Sequence, residues 1–379
     1  MAKSLAEIDR DNSAFLMHSI TRMIPMNTPD GTTYNAGSKL RFTAPIVPGW
    51  AQFIRVLYNL TVNVVLGTGT AAVSAAAPYN VVQNQRLLFG GVEHRNHHPF
   101  FNKTLKQSME HDGGFWSYGG PTTQSYASTI LTAPAVAAGN NTWLGYFDIP
   151  LQLSSASVMG MLPLGASASP LTLELDLASA VYGGDPLLNP VYVTGNATAT
   201  ITGTVSAVVY YSYGQSPHDP RVQVPTPVIG SFAKMTQFET PIAITTGVTY
   251  ADLREPYPHL KVFQVAIVPS QAAFCTFANI AGAKFDLDSG TPYLNYNSDG
   301  ASINALWYDQ RNAYGQDLDA GVVVWDFISG SDPKHPDGLN TVNIEMYNAA
   351  RAGIYYNGAL AANSNRIVTV PMFVERLPF

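Results

Sequence analysis

The sequence is poor in charged residues. Asp, Glu, Lys and Arg together make up 12% of its 379 residues, about half of the ~25% that is usual in globular proteins. The net charge is −6 and no long run of basic residues occurs, so no surface for nucleic acid is predicted. Interface centres are depleted of Lys, Glu and Asp, so a surface with so few charges indicates extensive contact with neighbouring protein.

Cysteine and long apolar runs are also scarce. Cys275 is the single cysteine, which excludes an intrachain disulfide framework and a cysteine-based zinc cluster. Because it lies among apolar residues, it is predicted to be a buried thiol. No apolar run reaches the ~18 residues of a transmembrane helix. The N-terminus carries charges without an apolar core, so a secretory signal is not expected.

Turn-forming and aromatic residues are plentiful. The chain contains 31 Gly, 26 Pro and 20 Tyr. This composition, with few charges, is typical of an all-β protein with many turns. A chain of this length exceeds one typical hydrophobic core, so two domains are expected.

A pattern in the middle of the chain, residues 142–177, is repeated near its end. It begins with an aromatic strand at 143–151, continues through a small-residue stretch read as a short helical turn, and ends in Leu171-Thr-Leu-Glu-Leu-Asp-Leu177. Strict alternation places every Leu on one face of a half-buried strand. The stretch 321–347 has the same order, so the sequence predicts two copies of one sandwich.

The two halves correspond loosely. Asp148 is matched with Asp326, the strand 173–177 with 342–346, and the strand ending at Tyr210 with 369–374. A tandem duplication is therefore favoured. A Pro-rich stretch separates the halves, because Pro cannot donate to a strand ladder. The predicted division is a helical segment at 1–26, a first domain at 27–216, a linker at 217–229 and a second domain at 230–379.

Within these domains several elements are predicted. Residues 84–92 are read as one strand, 93–120 as an aromatic, His-rich loop region, and 301–314 as a short helix. In residues 1–26, Leu5, Ile8, Leu16, Ile20, Met23 and Ile24 recur at helical spacing. This amphipathic helix packs on its own domain or a neighbour, or it touches a membrane surface.

The order of these features resembles a known family, the double jelly-roll major capsid proteins of the tectivirus type, in the lineage that includes adenovirus hexon. The resemblance rests on the N-terminal helical segment, the series 143–177, the strand at 205–213, the WDFISG…NIEMYNAA series at 325–350 and the strand at 366–377. It implies an all-β fold of two tandem eight-stranded jelly rolls with short helices between strands.

The resemblance also implies a function. Three chains would form a pseudo-hexameric capsomer of an icosahedral virus, over an internal membrane that the N-terminal helix lies near. The implied partners are further copies of the chain, neighbouring capsomers, and minor capsid and vertex proteins, in a virion shell made in the host cytoplasm. Two stretches, 93–139 and 274–300, would be the loops that decorate the outer surface.

A metal site is the first rival hypothesis. His94, His97 and His98, with His111 and Asp112 beyond, offer imidazoles and a carboxylate. On a strand, however, His94 and His97 point to opposite faces, and no His-Glu-x-x-His pattern occurs. A polar loop or an intersubunit hydrogen-bonding cluster is the favoured interpretation, and no metal ligand is assigned.

Carboxylates supply the remaining candidates. Asp286, Asp288, Asn295 and Asp299 offer oxygens for calcium, but their spacing fits no EF-hand loop and a solvated loop is favoured. Glu174 and Asp176 share a strand face, as a glycosidase pair would, but the wet side of an amphipathic strand is the simpler interpretation.

No catalytic residue, cofactor or catalytic motif is therefore predicted, and the chain is not expected to be an enzyme. The alternative class is a two-domain β-sandwich carbohydrate-active enzyme or lectin, which the low charge and the absence of cysteine pairs disfavour. A receptor-binding spike would show a repetitive shaft, which the sequence does not.

Overall fold

The structure is a computed structural model of the whole chain. It describes residues 5–108, 130–132, 134–153, 157–165, 170–214, 224–227, 229, 231–242, 247–255, 257–268, 273–275, 280–288, 291–296, 306, 308–310, 314, 318–319, 321–327, 342–343, 347, 349–356 and 365–376.

The described residues are mainly β-strands. Two α-helices, α1 (Leu5–His18) and α2 (Phe100–Gln107), and a 3₁₀ helix at Tyr79–Val81 accompany them. The strands of the first half are β1 (Ile20–Pro25), β2 (Lys39–Thr43), β3 (Trp50–Val65), β4 (Ala71–Val73), β5 (Val82–Phe89), β6 (Val92–His97), β7 (Ile130–Thr132), β8 (Gly139–Pro150), β9 (Leu162–Pro163), β10 (Thr172–Leu177), β11 (Val191–Val193) and β12 (Thr198–Tyr213).

The second half continues in the same way. Its strands are β13 (Ser231–Thr236), β14 (Phe238–Pro241), β15 (Gly247–Leu253), β16 (Pro258–Val268), β17 (Ala273–Phe274), β18 (Ile280–Leu287), β19 (Thr291–Tyr296), β20 (Val322–Asp326), β21 (Val342–Asn343), β22 (Ala350–Tyr356) and β23 (Arg366–Arg376). Residues 306, 308–310 and 314 are helical, within the short helix predicted at 301–314.

The sheets repeat one topology in both halves. In the first, β1-β12-β3-β8 form one layer and β2-β10-β5-β6 the other. In the second, β13-β23-β16-β20 and β15-β22-β18-β19 have the same strand order. Each half is thus a sandwich of two four-stranded antiparallel layers, and the predicted pair of eight-stranded jelly rolls is confirmed.

Alternating burial explains the layers. In β10, Leu173, Leu175 and Leu177 are buried, while Thr172, Glu174 and Asp176 are half-buried. This is the pattern that the sequence predicts for the strand. The first-half core gathers such inward faces from both layers, and a second core fills the sandwich of the second half.

One sheet crosses from the first sandwich into the second. Strand β6 pairs in parallel with β13 at Met235–Arg95 and Thr236–Asn96. This contact joins layers of both halves into an 11-stranded sheet. The first-half core cluster likewise continues into second-half residues such as Phe263 and Val370.

The structure corrects the predicted helix at 1–26. Helix α1 ends at His18, and Ile20–Pro25 is a strand paired with β12. Tertiary pairing here overrides the helical spacing of the apolar residues. Since β1 occupies the position that β13 has in the second half, it belongs to the first sandwich.

Three further predictions are wrong. Residues 84–92 are not one strand, because Gly90 and Gly91 adopt positive φ angles in a turn between β5 and β6. Residues 93–107, predicted as loop, form β6 and the largely buried α2. The small-residue stretch after β8 contains no helix in its described part, which has a bridge, a turn and β9.

Two of the proposed correspondences hold and one does not. Asp148 and Asp326 lie on the matching strands β8 and β20, and β12 matches β23. Strand 173–177, however, has β22 as its counterpart in the sheet order, while 342–343 pairs with β16 as β9 does with β3. Residues 342–346 alternate between apolar and polar like 173–177, and the two were matched for that reason. Alternation alone, however, does not specify which layer a strand joins.

Candidate functional site

The His-rich segment lies at the junction of the two sandwiches, where His97 and His98 are fully buried. His97 Nε2 accepts a hydrogen bond from Gln85 at 3.1 Å and its Nδ1 donates to the carbonyl of His98 at 3.0 Å. His98 Nε2 donates to the carbonyl of Leu187 at 2.8 Å. Burial lowers the pKa of each imidazole to about 3, so both are neutral at pH 7.

Within the described part of the chain, His94 does not join His97 and His98 in a metal site. His94 packs against the rings of Phe89 and Phe232 instead. Among the residues that the structure describes, no cluster of three or more His, Cys, Asp or Glu side chains has the geometry to bind a metal ion. His111 and Asp112 lie outside the described residues.

The calcium candidates lie in and around strands β18 and β19. Asp286 is not in a solvated loop, as predicted, but is buried in β18, where Lys284 lies 3.0 Å and Arg351 3.8 Å from its carboxylate. Asp288 follows that strand with a positive φ of 52°. Asn295 lies in β19, and Asp299 is outside the described residues.

Glu174 and Asp176 form ion pairs on the outer face of β10. Lys39 Nζ lies 3.7 Å from Glu174 and 3.2 Å from Asp176, and Arg86 lies 3.4 Å from Glu174. Both carboxylates are paired with cations on the solvent-facing side of the strand, which is where the alternation predicts them. Their described contacts are surface ion pairs and do not favour a glycan-processing pair. Cys275 is buried, as predicted.

The structure instead concentrates buried polar contacts at the junction. Arg95 on β6 is 1% exposed and donates to the carbonyls of Ala233, at 2.8 Å, and Pro150, at 3.2 Å. Burial lowers the pKa of its guanidinium to about 10, so it still carries a charge at pH 7. Its two acceptors belong to different halves, so Arg95 links the sandwiches.

Helix α2 is the second link. Lys106 contacts Asp148 of the first sandwich at 3.1 Å, and Lys103 contacts Asp319 of the second half at 2.6 Å. Phe100 packs on Phe274 with ring centroids 4.8 Å apart. The helix therefore makes ionic contacts on both sides of the junction.

Lys261 provides a third link between the two halves. Its ammonium donates at 2.8 Å to the carbonyl of Ser108, which caps α2, and at 2.8 Å to Asp326. Arg366 on β23 reaches back to Asp185 of the first half and to Glu239, 2.9 Å away. Burial lowers the pKa of Arg366, but the hydrogen bond with Asp185 and the charge of that carboxylate raise it overall.

Sequence reasoning missed these links. The available signal was the octapeptide FFNKTLKQ, in which two lysines at spacing i, i+3 share a helix face with apolar residues on the other. The contacts described at the junction are hydrogen bonds, ion pairs and ring contacts. Its contacts fix the position of one sandwich relative to the other.

No protein-family model matches the chain, and no curated protein matches it in sequence. Its three-dimensional structure, however, has the double jelly-roll fold of viral major capsid proteins. It is similar to the major capsid protein of Sulfolobus turreted icosahedral virus (STIV), with a TM-score of 0.61 and 12% identity over 94% of this chain and 97% of that chain.

Two further structures show the same likeness. PBCV-1 VP54 gives a TM-score of 0.62 at 12% identity, covering 94% of this chain and 93% of that chain. The major capsid protein P2 of bacteriophage PM2 gives 0.51 at 12% identity, covering 94% and 98%. The likeness extends over both sandwiches and therefore concerns the tandem arrangement as well as the single jelly roll.

Proposed function

We propose that the chain is a major capsid protein whose trimers form pseudo-hexameric capsomers of an icosahedral virus. The observation that carries this proposal is the full-length likeness to capsid proteins with two sandwiches per chain. Two similar domains in each of three chains supply six similar positions around an axis, and a repeated heterologous interface closes such a ring.

The junction supports this role. A capsomer with regular edges needs a constant angle between the two sandwiches of each chain. The β6–β13 pairing, Arg95 and α2 supply contacts that hold that angle. We place the sandwiches at 27–216 and 230–379 with the linker at 217–229, and add β1 to the first of them.

Helix α1 is proposed to face an internal membrane. Phe15 is buried and packs edge-on against Trp50, with centroids 5.0 Å apart, whereas Met17 is 72% exposed. One side of the helix is thus fixed to the sandwich while an apolar side chain projects outward. No helix within the described residues has the length and apolarity needed to cross a bilayer. The contact that we propose for α1 is interfacial.

The proposed partners follow from the same role. They are further copies of the chain, neighbouring capsomers, and minor capsid and vertex proteins, in a shell that assembles after synthesis in the host cytoplasm. The chain acts as a structural protein and not as an enzyme.

Solution mass tests the proposal. Light scattering after size exclusion should give about three times the chain mass of 40.8 kDa, and negative-stain images should show particles with six-fold outlines. A stable monomer at all concentrations would overturn the capsid proposal, because an obligate ring contact buries a large surface and does not dissociate on modest dilution.

A further inference from the structure

A cavity of about 290 Å³ opens where β6 of the first sandwich meets the second half. Glu93 and His94 on β6, Lys234 on β13, and Glu255 with Tyr257 before β16 contribute to its lining. The cavity approaches the size of small-ligand sites in proteins. Since its walls come from both halves, it exists only when the junction is formed.

Most charged groups of the lining already have partners. Arg86 and Asn96 hydrogen-bond the two carboxylate oxygens of Glu93. His94 and Lys234 take part in interactions within the chain. Glu255 differs, since the described part of the chain supplies it with neither an ion pair nor a hydrogen bond to its side chain.

An aromatic wall stands beside Glu255. The rings of Tyr257 and Phe373 stack at 5.4 Å with an interplanar angle of 7°. Phe373 is 4% exposed, whereas Tyr257 is half-buried, and both residues line the cavity. His259 fixes the backbone there by donating to the carbonyl of Tyr257 at 2.7 Å.

We propose that this junction cavity binds an ammonium or guanidinium group carried on an aliphatic stem. Glu255 would accept its hydrogen bonds, and the Tyr257 ring would cover the stem and attract the charge through its π face. The group has two sources with the same chemistry: a free polyamine, or a Lys or Arg side chain of a second copy of the chain.

Titration calorimetry of the full-length protein with agmatine tests the site, with 1,4-butanediol as the uncharged probe of similar length. Agmatine should bind saturably and butanediol should not. Glu255→Gln keeps the shape and removes the charge, and should weaken agmatine binding about tenfold or more. Tyr257→Leu should weaken it too, while Asp252→Asn, which removes an exposed carboxylate from nearby β15, should not.

Sedimentation separates the two sources. If a second copy supplies the cation, Glu255→Gln weakens self-association and agmatine competes with self-association. If the ligand is a free polyamine, neither the substitution nor agmatine changes the mass of the sedimenting protein. Absence of saturable agmatine binding in a correctly folded wild-type protein, together with unchanged association of Glu255→Gln, overturns the proposal. A monomeric protein that still binds agmatine would contradict the capsid role and leave this site standing.

Discussion

Asp148 in the first sandwich and Asp326 in the second make the same cross-strand contact with different cations. Asp148 lies directly opposite Arg55 on β3, and Asp326 directly opposite Lys261 on β16. Arg55 binds both oxygens of Asp148, at 2.7 and 3.0 Å, and stacks 3.8 Å from the centroid of the Tyr146 ring. Burial opposes its charge, but Asp148 raises the pKa of Arg55.

The cation of the second pair is the more deeply buried of the two. Lys261 is 3% exposed in its side chain, against 20% for Arg55. The hydroxyl of Tyr314 donates to Asp326 at 2.8 Å, and Lys261 also binds the Ser108 carbonyl of the first half. The first pair therefore lies within one sandwich, whereas the second depends on the other half being in place.

Replacing Lys261 should have the largest effect on this comparison. Lys261→Met leaves Asp326 buried without this ammonium and removes the link to α2. We expect it to lower the free energy of unfolding by about 3–5 kcal/mol. Lys106→Met should lower it by only about 1–2 kcal/mol, because Arg55 still neutralises Asp148.

Urea unfolding at one fixed protein concentration measures both changes, since any association would shift apparent stability. Lys39→Met serves as the control, since that lysine is half exposed in surface pairs. Equal losses of unfolding free energy for Lys261→Met and Lys106→Met would contradict the difference between the two ion pairs that their contacts indicate.

The second-largest effect should come from acid, which is expected to destabilise the junction. His97 and His98 have folded pKa values of about 3, and His259 on β16 one of about 4, all lowered by burial. Unfolded histidines titrate near pH 6.5, so below that pH the unfolded chain binds more protons. Stability is therefore complete above about pH 6.5 and falls towards pH 3–4, by up to about 1.4 kcal/mol per unit for each histidine.

Unfolding free energies at pH 7, 6 and 5 give that slope. Replacing His98 or His259 by Gln should flatten it. Because the first half contributes two such histidines to the junction, the double replacement at 97 and 98 should flatten the slope more than His259→Gln. A slope unaffected by any of these changes would assign the acid response to other groups.

The smallest effect should come from the outer sheet face of the first sandwich. Glu174→Gln removes the carboxylate shared by Lys39 and Arg86, both of which are about half exposed. We expect a loss below about 1 kcal/mol that disappears in 1 M salt, as usual for surface ion pairs. A large, salt-independent loss would place this face within an interface.

The sequence predicted the parts of the fold in which local pattern and burial agree. The Leu alternation of 171–177 identified β10 and its buried face, and the matching of Asp148 with Asp326 identified equivalent strands. A strand that is covered on one side must alternate between apolar and polar residues, so its buried face can be identified from the sequence.

The junction could not be predicted from the sequence, because its contacts are made between residues far apart in the chain. Arg95 and Lys261 look like ordinary strand cations in sequence, and only their tertiary surroundings show that they are buried. Helix α2 is too short to be stable alone, so its apolar and basic residues resembled a loop. Residues 20–25 were read as helix because the spacing of their apolar residues fits a helix, whereas the pairing with β12 that makes them strand β1 joins distant parts of the chain.

The pairing of β6 with β13 also affects how much freedom the molecules lose when they assemble. Each association of separate bodies costs about 4–15 kcal/mol of translational and rotational freedom. A ring of six independent sandwiches would incur this cost five times, whereas the proposed ring of three chains incurs it twice. Half of the contacts around such a ring are formed once, when the chain folds, and no longer depend on protein concentration.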